Sequence, residues 1–242
     1  MKKILILIIA ISLFTVLSKA IATTNDYDEI AKSDKVGVTI YAKKMNGLYT
    51  DFIIDFQGSI LSKPYWINTT SPTWSPEIIY EDISQDGKKE LVIILTKDTG
   101  TGVLEREVHV FQIQHPKSDK TQSVIPVEVP IDEPLAILLK HVKTELTPNK
   151  ASVSIGDKKY TIDIKPSGIQ PGHLFDEIYF GNLINFEIKD NQLIAKLGGQ
   201  ISPVGGYIGD IQITYKFKDK MYQAKSIEFI PMNNVLLNHL VF

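Results

Sequence analysis

PEIIYEDISQDGKKELVIIL, residues 76–95, is the stretch on which the fold turns. Asp82, Ser84 and Asp86 alternate toward Gly87, and after Lys88, Lys89 and Glu90 the chain runs Leu91-Val92-Ile93-Ile94-Leu95 without a polar break. Polar alternation on one side and a short apolar run on the other predict two strands about a turn. Asp-Gly is a strong hairpin signal because both residues tolerate positive φ. REVHVFQI (106–113) alternates again after the loop TKDTGTG (96–102), so the stretch opens a three-strand antiparallel meander.

Working outward, the same grammar repeats. VGVTIYAKK (36–44) and YTDFIIDFQG (49–58) flank Met45-Asn46-Gly47. Beyond residue 150, hairpins are predicted about Gly156-Asp157, Asp190-Asn191 and Asp219-Lys220, with KPSGIQPGHLFDEIYFGN (165–182) as a long irregular loop. One segment breaks the pattern. Asp132-Glu133-Pro134 reads as a helix start, LAILLKHVKTEL (135–146) places Leu135, Leu138, Leu139, Val142 and Leu146 at helical spacing, and Thr147-Pro148-Asn149 stops it. The predicted fold class is mainly β (α+β): antiparallel sheets of hairpins and meanders, with one principal helix near 134–146 packed across a sheet. The predicted organisation is a signal peptide (1–22), an N-terminal β region (23–115), a linker-like segment (116–134), and a helix followed by a C-terminal antiparallel β region (135–242).

The first residues, MKKILILIIAISLFTVLSKAIATT, carry Lys2 and Lys3, an apolar core from Ile4 to Leu17, and the small residues Ala20 and Ala22. That is the pattern of a secretory leader cleaved after Ala22, leaving Thr23 first. The alternative is an uncleaved N-terminal membrane anchor, for which the apolar run is short. Otherwise the chain touches the membrane only through the leader before cleavage. No cysteine follows the core, which rules out a lipoprotein attachment, and none occurs elsewhere, which rules out disulfides, thiolate metal sites and cysteine nucleophiles. The Lys-rich composition, with Arg106 the sole arginine, reads as bacterial. Without residues 1–22 the balance is 23 basic against 28 acidic residues, an unfavourable charge for binding nucleic acid.

Asp82-x-Ser84-x-Asp86-Gly87-x-x-Glu90 sets an oxygen-bearing side chain at every second position before a glycine. Calcium takes six to eight oxygen ligands, and a loop of this spacing can wrap one ion. The candidate metal ligands are therefore Asp82, Ser84, Asp86 and Glu90, with Lys88 through its carbonyl. Two readings stay open: a turn with solvated charges, or a turn that also holds calcium with the roughly 10⁻⁴ to 10⁻³ M affinity of extracellular modules. An EF-hand would place an acid at position 93, where this chain has Ile93.

The strand context resembles the calcium loops of FG-GAP and VCBS-type repeats, with a core D-x-[DN]-x-D-G-x-x-[DE] that leads into an apolar strand. The resemblance covers residues 76–113, a single unit within an exported bacterial chain. It implies that Asp82, Ser84, Asp86 and Glu90 fall on ligand positions, with Ser84 standing where the family has Asp or Asn. One unit cannot close a propeller.

Local catalytic motifs are missing. His109, His115, His141, His173 and His239 are scattered without metal-ligand spacing, and there is no nucleophile elbow, S-x-x-K pair or phosphate-cradling glycine loop. His109 alternates with Glu107 and Glu105, the pattern of a solvated strand face. The glycines of GGQISPVGGYIGD (198–210) read as bulges and bends. Tyr65, Trp66 and Trp74 are candidates either for stacking on sugar rings or for covering a core. Three functional classes follow: a non-catalytic exported module that binds a protein or cell-envelope component; a wall- or polymer-hydrolase using a carboxylate pair; and a structural subunit of a surface complex. The catalytic residues of the second class are not identifiable from the sequence.

Overall fold

The computed structural model describes residues 26–115 and 124–232. The leader (1–22), the first eight residues of segment 116–134, and His239 lie outside the described residues. Among the described residues no helix is long and apolar enough to cross a membrane.

The first sheet is antiparallel and made of β1 (Asp28–Ser33), β2 (Val38–Met45), β3 (Leu48–Phe56), β4 (Ser59–Lys63) and β5 (Asn68–Thr69), in the order β1-β2-β3-β4 with β5 also on β3. Asn46 and Gly47 both take positive φ, 53° and 82°, and join β2 to β3 in the predicted turn. The meander follows as β6 (Glu77–Glu81), β7 (Glu90–Gly100) and β8 (Val103–Gln114), paired antiparallel throughout.

Strand β7 explains the unbroken apolar run. Leu91, Ile93 and Leu95 pack with Val38, Ile40, Phe52, Ile54 and Phe56 of the first sheet. Val92 and Ile94 face the opposite way, into the larger core with Val108, Val110 and Phe186. A strand covered on both faces has no use for polar alternation.

The expected linker carries structure. Residues 125–129 form β9 (Ile125–Val129), antiparallel to the end of β8. The helix, α1 (Pro134–His141), begins at Glu133, whose carboxylate accepts the Ala136 N–H at 2.8 Å. It is shorter than its spacing predicts: β-branched Val142 and Thr144 belong to β10 (Val142–Leu146), which pairs with β11 (Lys150–Ile155) and through it with β12 (Lys158–Asp163). Its buried face is Pro134, Ile137 and Leu138, whereas Leu139 is 79% exposed.

The chain then adds β13 (Leu183–Lys189), β14 (Gln192–Ser202), β15 (Gly205–Lys218) and β16 (Met221–Pro231) as successive hairpins. Asp190-Asn191 and Asp219-Lys220 take positive φ at all four residues, as the predicted two-residue turns require. Beside the bulge in β14 at Gly199 and Gln200, Gly209 of β15 has φ +143°, and a Cβ there would stand 2.4 Å from the Ile230 carbonyl oxygen, so only glycine fits. Strand β13 lies parallel to β8, which makes one eight-stranded sheet from strands on either side of segment 116–134.

That sheet closes on itself. From β8, one branch runs through β13, β14 and β15 to β16, and the other through β9. Just past β9, Ile131 bridges to Tyr222 of β16: the Tyr222 N–H donates to the Pro130 carbonyl and the Asp132 N–H to the Tyr222 carbonyl, both at 2.9 Å. The ring encloses a core that includes Val110, Val129, Leu197, Ile211, Tyr215 and Tyr222.

Candidate functional site

The loop between β6 and β7 spans residues 82–89, so Asp86-Gly87 is not the two-residue hairpin turn that its composition predicts. The cause is Asp82. Its carboxylate folds back over the loop and accepts the Asp86 N–H at 3.1 Å and the Gly87 N–H at 3.0 Å, one on each oxygen. These bonds hold Gln85 and Gly87 at φ 62° and 86° and turn a tight hairpin into a wide bend. Asp86 in turn accepts the Lys88 N–H at 2.9 Å.

Glu90 opens β7 from inside. It is 2% exposed, and its Oε2 accepts the N–H groups of Ile83 and Ser84 at 3.0 and 3.2 Å. Ile83 is driven into the larger core, so loop and strand are pinned from both ends. Burial pushes the Glu90 carboxyl above the ordinary range; the bonds from Ser84 and Ile83 offset part of this, and the charge of Asp86 adds to it. The Ser84 hydroxyl stands near enough to ease the ionisation of Glu90, yet it is buried without a well-formed hydrogen bond.

Four of the five sequence candidates thus fall in one loop and the fifth, Glu90, on the strand that follows it, in differing states. Asp82, Asp86 and Lys88 are near the surface and linked through backbone N–H groups; Ser84 and Glu90 point inward. Among the described residues no group of three His, Cys, Asp or Glu side chains converges as a metal-holding cluster. A cation here would draw on the oxygens that complement the carboxylates, namely the Ser84 hydroxyl and the Lys88 carbonyl. A carboxylate oxygen that already accepts one N–H keeps a further lone pair for an ion.

A second cluster is not legible in the sequence. His109 is 9% exposed rather than on a solvated face: its ring stacks on Trp66, and its Nδ1 lies 2.8 Å from Glu128 on β9. Glu128 also takes the ammonium of Lys63 from β4. The partners come from β4, the loop after it, β8 and β9, so no local spacing signals them. Of the aromatic candidates, Trp66 is consumed by this packing, while Tyr65 is 93% exposed.

Comparison with protein-family models finds no match to the chain, and comparison with curated proteins finds none either.

Proposed function

We propose that this chain is an exported, non-catalytic β-rich module that acts in binding at the cell envelope, steadied by one calcium ion at loop 82–90. The observation that carries the calcium part is the Ser84 hydroxyl, buried beside the carboxylate of Glu90 without a well-formed hydrogen bond. Burying a hydroxyl with nothing to bind costs about 1–3 kcal/mol, and an ion would turn that cost into coordination. The leader and the acidic balance of the remaining chain support the exported setting, where calcium is abundant. A polymer hydrolase would need a raised carboxylate facing a cleft; Glu90, the carboxylate that burial holds up, is closed off from solvent and occupied by two backbone N–H groups.

The test is thermal melting of the full chain in calcium and in chelator. Binding at a hundredfold excess over Kd stabilises by about 2.7 kcal/mol, so calcium should raise the melting temperature by several degrees and Asp86→Ala should remove that response. Coincident melting curves with calcium and with chelator would overturn the calcium reading.

A further inference from the structure

The outer face of the ring carries a hollow lined from β8, β13, β14 and β15. Strand register builds it. Leu183 pairs with Leu104, Asn185 with Lys196 and Gly198 with Asp210, whereas Ile184, Leu197 and Ile211, one residue along, turn into the larger core. With Tyr207 these outward side chains bound a cavity of about 300 Å³. Gly198 shapes its floor: a Cβ there would stand 2.7 Å from the Leu183 Cβ and 3.2 Å from Cε2 of Tyr207, so only glycine lets the leucine and the phenol ring lie together over the strand.

The polar groups around this floor are held in position. Arg106, 8% exposed, donates from Nη1 to the Asn185 Oδ1 at 2.9 Å and from Nη2 to Glu77, which leaves the Asn185 amide to present its N–H donors. Lys196 is paired with Glu187 at 2.8 Å. Burial first, and then the Asp210 carboxylate, keep the Tyr207 phenol protonated. The wall therefore sets donors and an acceptor about an apolar floor, and its one cation, Lys196, balances its one anion, Asp210.

We propose that this hollow is a carbohydrate subsite, which takes one uncharged sugar ring of a polysaccharide with its C–H face on Tyr207 and Leu183 and its hydroxyls on Asn185, Lys196 and Asp210. The proposal deepens the binding half of the function proposed above and is independent of the calcium half. A sugar ring has one apolar face and a rim of groups that both donate and accept, and the hollow offers the matching halves: an aromatic and aliphatic floor, and fixed polar groups at its margin. The balanced charge of the wall selects against an acidic or a basic ligand, for which one of the two ions would be left opposed. Arg106 touches no sugar; it is a positioning residue that sets the Asn185 amide.

The test is NMR titration of the full chain with cellohexaose and chitohexaose as uncharged probes and tetragalacturonate as an acidic one. At least one uncharged probe should bind, and more tightly than the acidic one. Tyr207→Ala should weaken that binding about tenfold, as loss of a stacked ring implies, while Tyr207→Phe should hold it within about threefold. Asn185→Ala should weaken it in the same direction, and it serves as the comparison if Tyr207→Ala does not fold. Tyr65→Ala, in the other sheet's loop after β4, should leave binding unchanged. No binding of either uncharged probe, tighter binding of tetragalacturonate, full affinity in Tyr207→Ala, or in Asn185→Ala when that variant serves, or an equal loss in Tyr65→Ala would overturn the subsite. The titrations are run in chelator, so their failure leaves the calcium reading of loop 82–90 standing, and calcium-independent melting leaves the subsite standing.

Discussion

The imidazole of His109 lies flat on the indole of Trp66, with ring centroids 3.8 Å apart and planes inclined by 21°. Around this stack Lys63 reaches over Trp66 and Phe111, at 5.7 and 5.2 Å from the ring centroids, and Glu128 ties Lys63 to His109. The five-stranded sheet and the large sheet are riveted here through charge as well as through apolar contact.

Acid should loosen that rivet. Burial alone would raise the Glu128 carboxyl, but its bonds to His109 and Lys63 outweigh burial and bring it from the ordinary 4.5 down to about 2. A depressed carboxyl contributes stability that is fully present above the unfolded value and lost as pH falls through the folded one. The melting temperature of the wild type should therefore fall between pH 4.5 and pH 2, and Glu128→Gln should flatten that part of the profile. Because 35% of the Glu128 side chain meets water, the loss is a fraction of what the shift alone implies. Parallel profiles for the two proteins would show that the cluster does not couple to folding.

Glu90 should behave in the opposite sense. Its carboxyl is held above the ordinary range, so the folded state takes up a proton more readily than the unfolded chain, and this group's contribution improves as pH falls through the raised value. In chelator, Glu90→Gln keeps one oxygen for the Ile83 and Ser84 N–H groups and should cost under about 1 kcal/mol, gaining on the wild type as pH rises. Glu90→Ala leaves both donors without an acceptor and should cost about 2–4 kcal/mol. Urea unfolding of the three proteins across pH checks the order, and equal losses for Gln and Ala would refute it.

The helix offers a clean contrast between neighbours. Leu138 is buried in the larger core and Leu139 stands in solvent beside it. Leu138→Ala should cost about 2–5 kcal/mol, while Leu139→Ala should stay within about 0.5 kcal/mol. Denaturant midpoints at constant slope report both, and a large loss at Leu139 would mean that something covers it in solution.

Much of the fold was readable because turns and strand faces are local properties. Asn46-Gly47, Asp190-Asn191 and Asp219-Lys220 sit where positive φ is needed, and the pattern of β2 and β3 follows from one face being covered. The misreadings share a cause. Asp86-Gly87 has the composition of a tight turn, but Asp82 uses its own carboxylate to widen the bend, a choice that composition does not reveal. Helical spacing ran through Val142 to Leu146 because Val142 and Leu146 are apolar, although β-branching and a waiting partner in β11 favour a strand there. His109 looked solvated because its alternation with Glu107 is genuine; the indole that covers it arrives from another sheet.

Ring closure also orders the assembly in time. The sheet of β1 to β5 is built from neighbours in sequence and can form as soon as those residues exist. The ring cannot: β8 finds β13 only after β9, the helix and the three strands β10 to β12 have intervened, and the Ile131–Tyr222 bridge waits for β16, the last of the described strands. Pairings of such separation are slow, because the chain gives up its freedom long before the contact rewards it. Until β16 arrives, β15 presents a raw edge on which another chain could template. The vulnerable interval in the life of this protein is thus the one before Tyr222 docks, and a chain that lost β16 would carry that edge permanently.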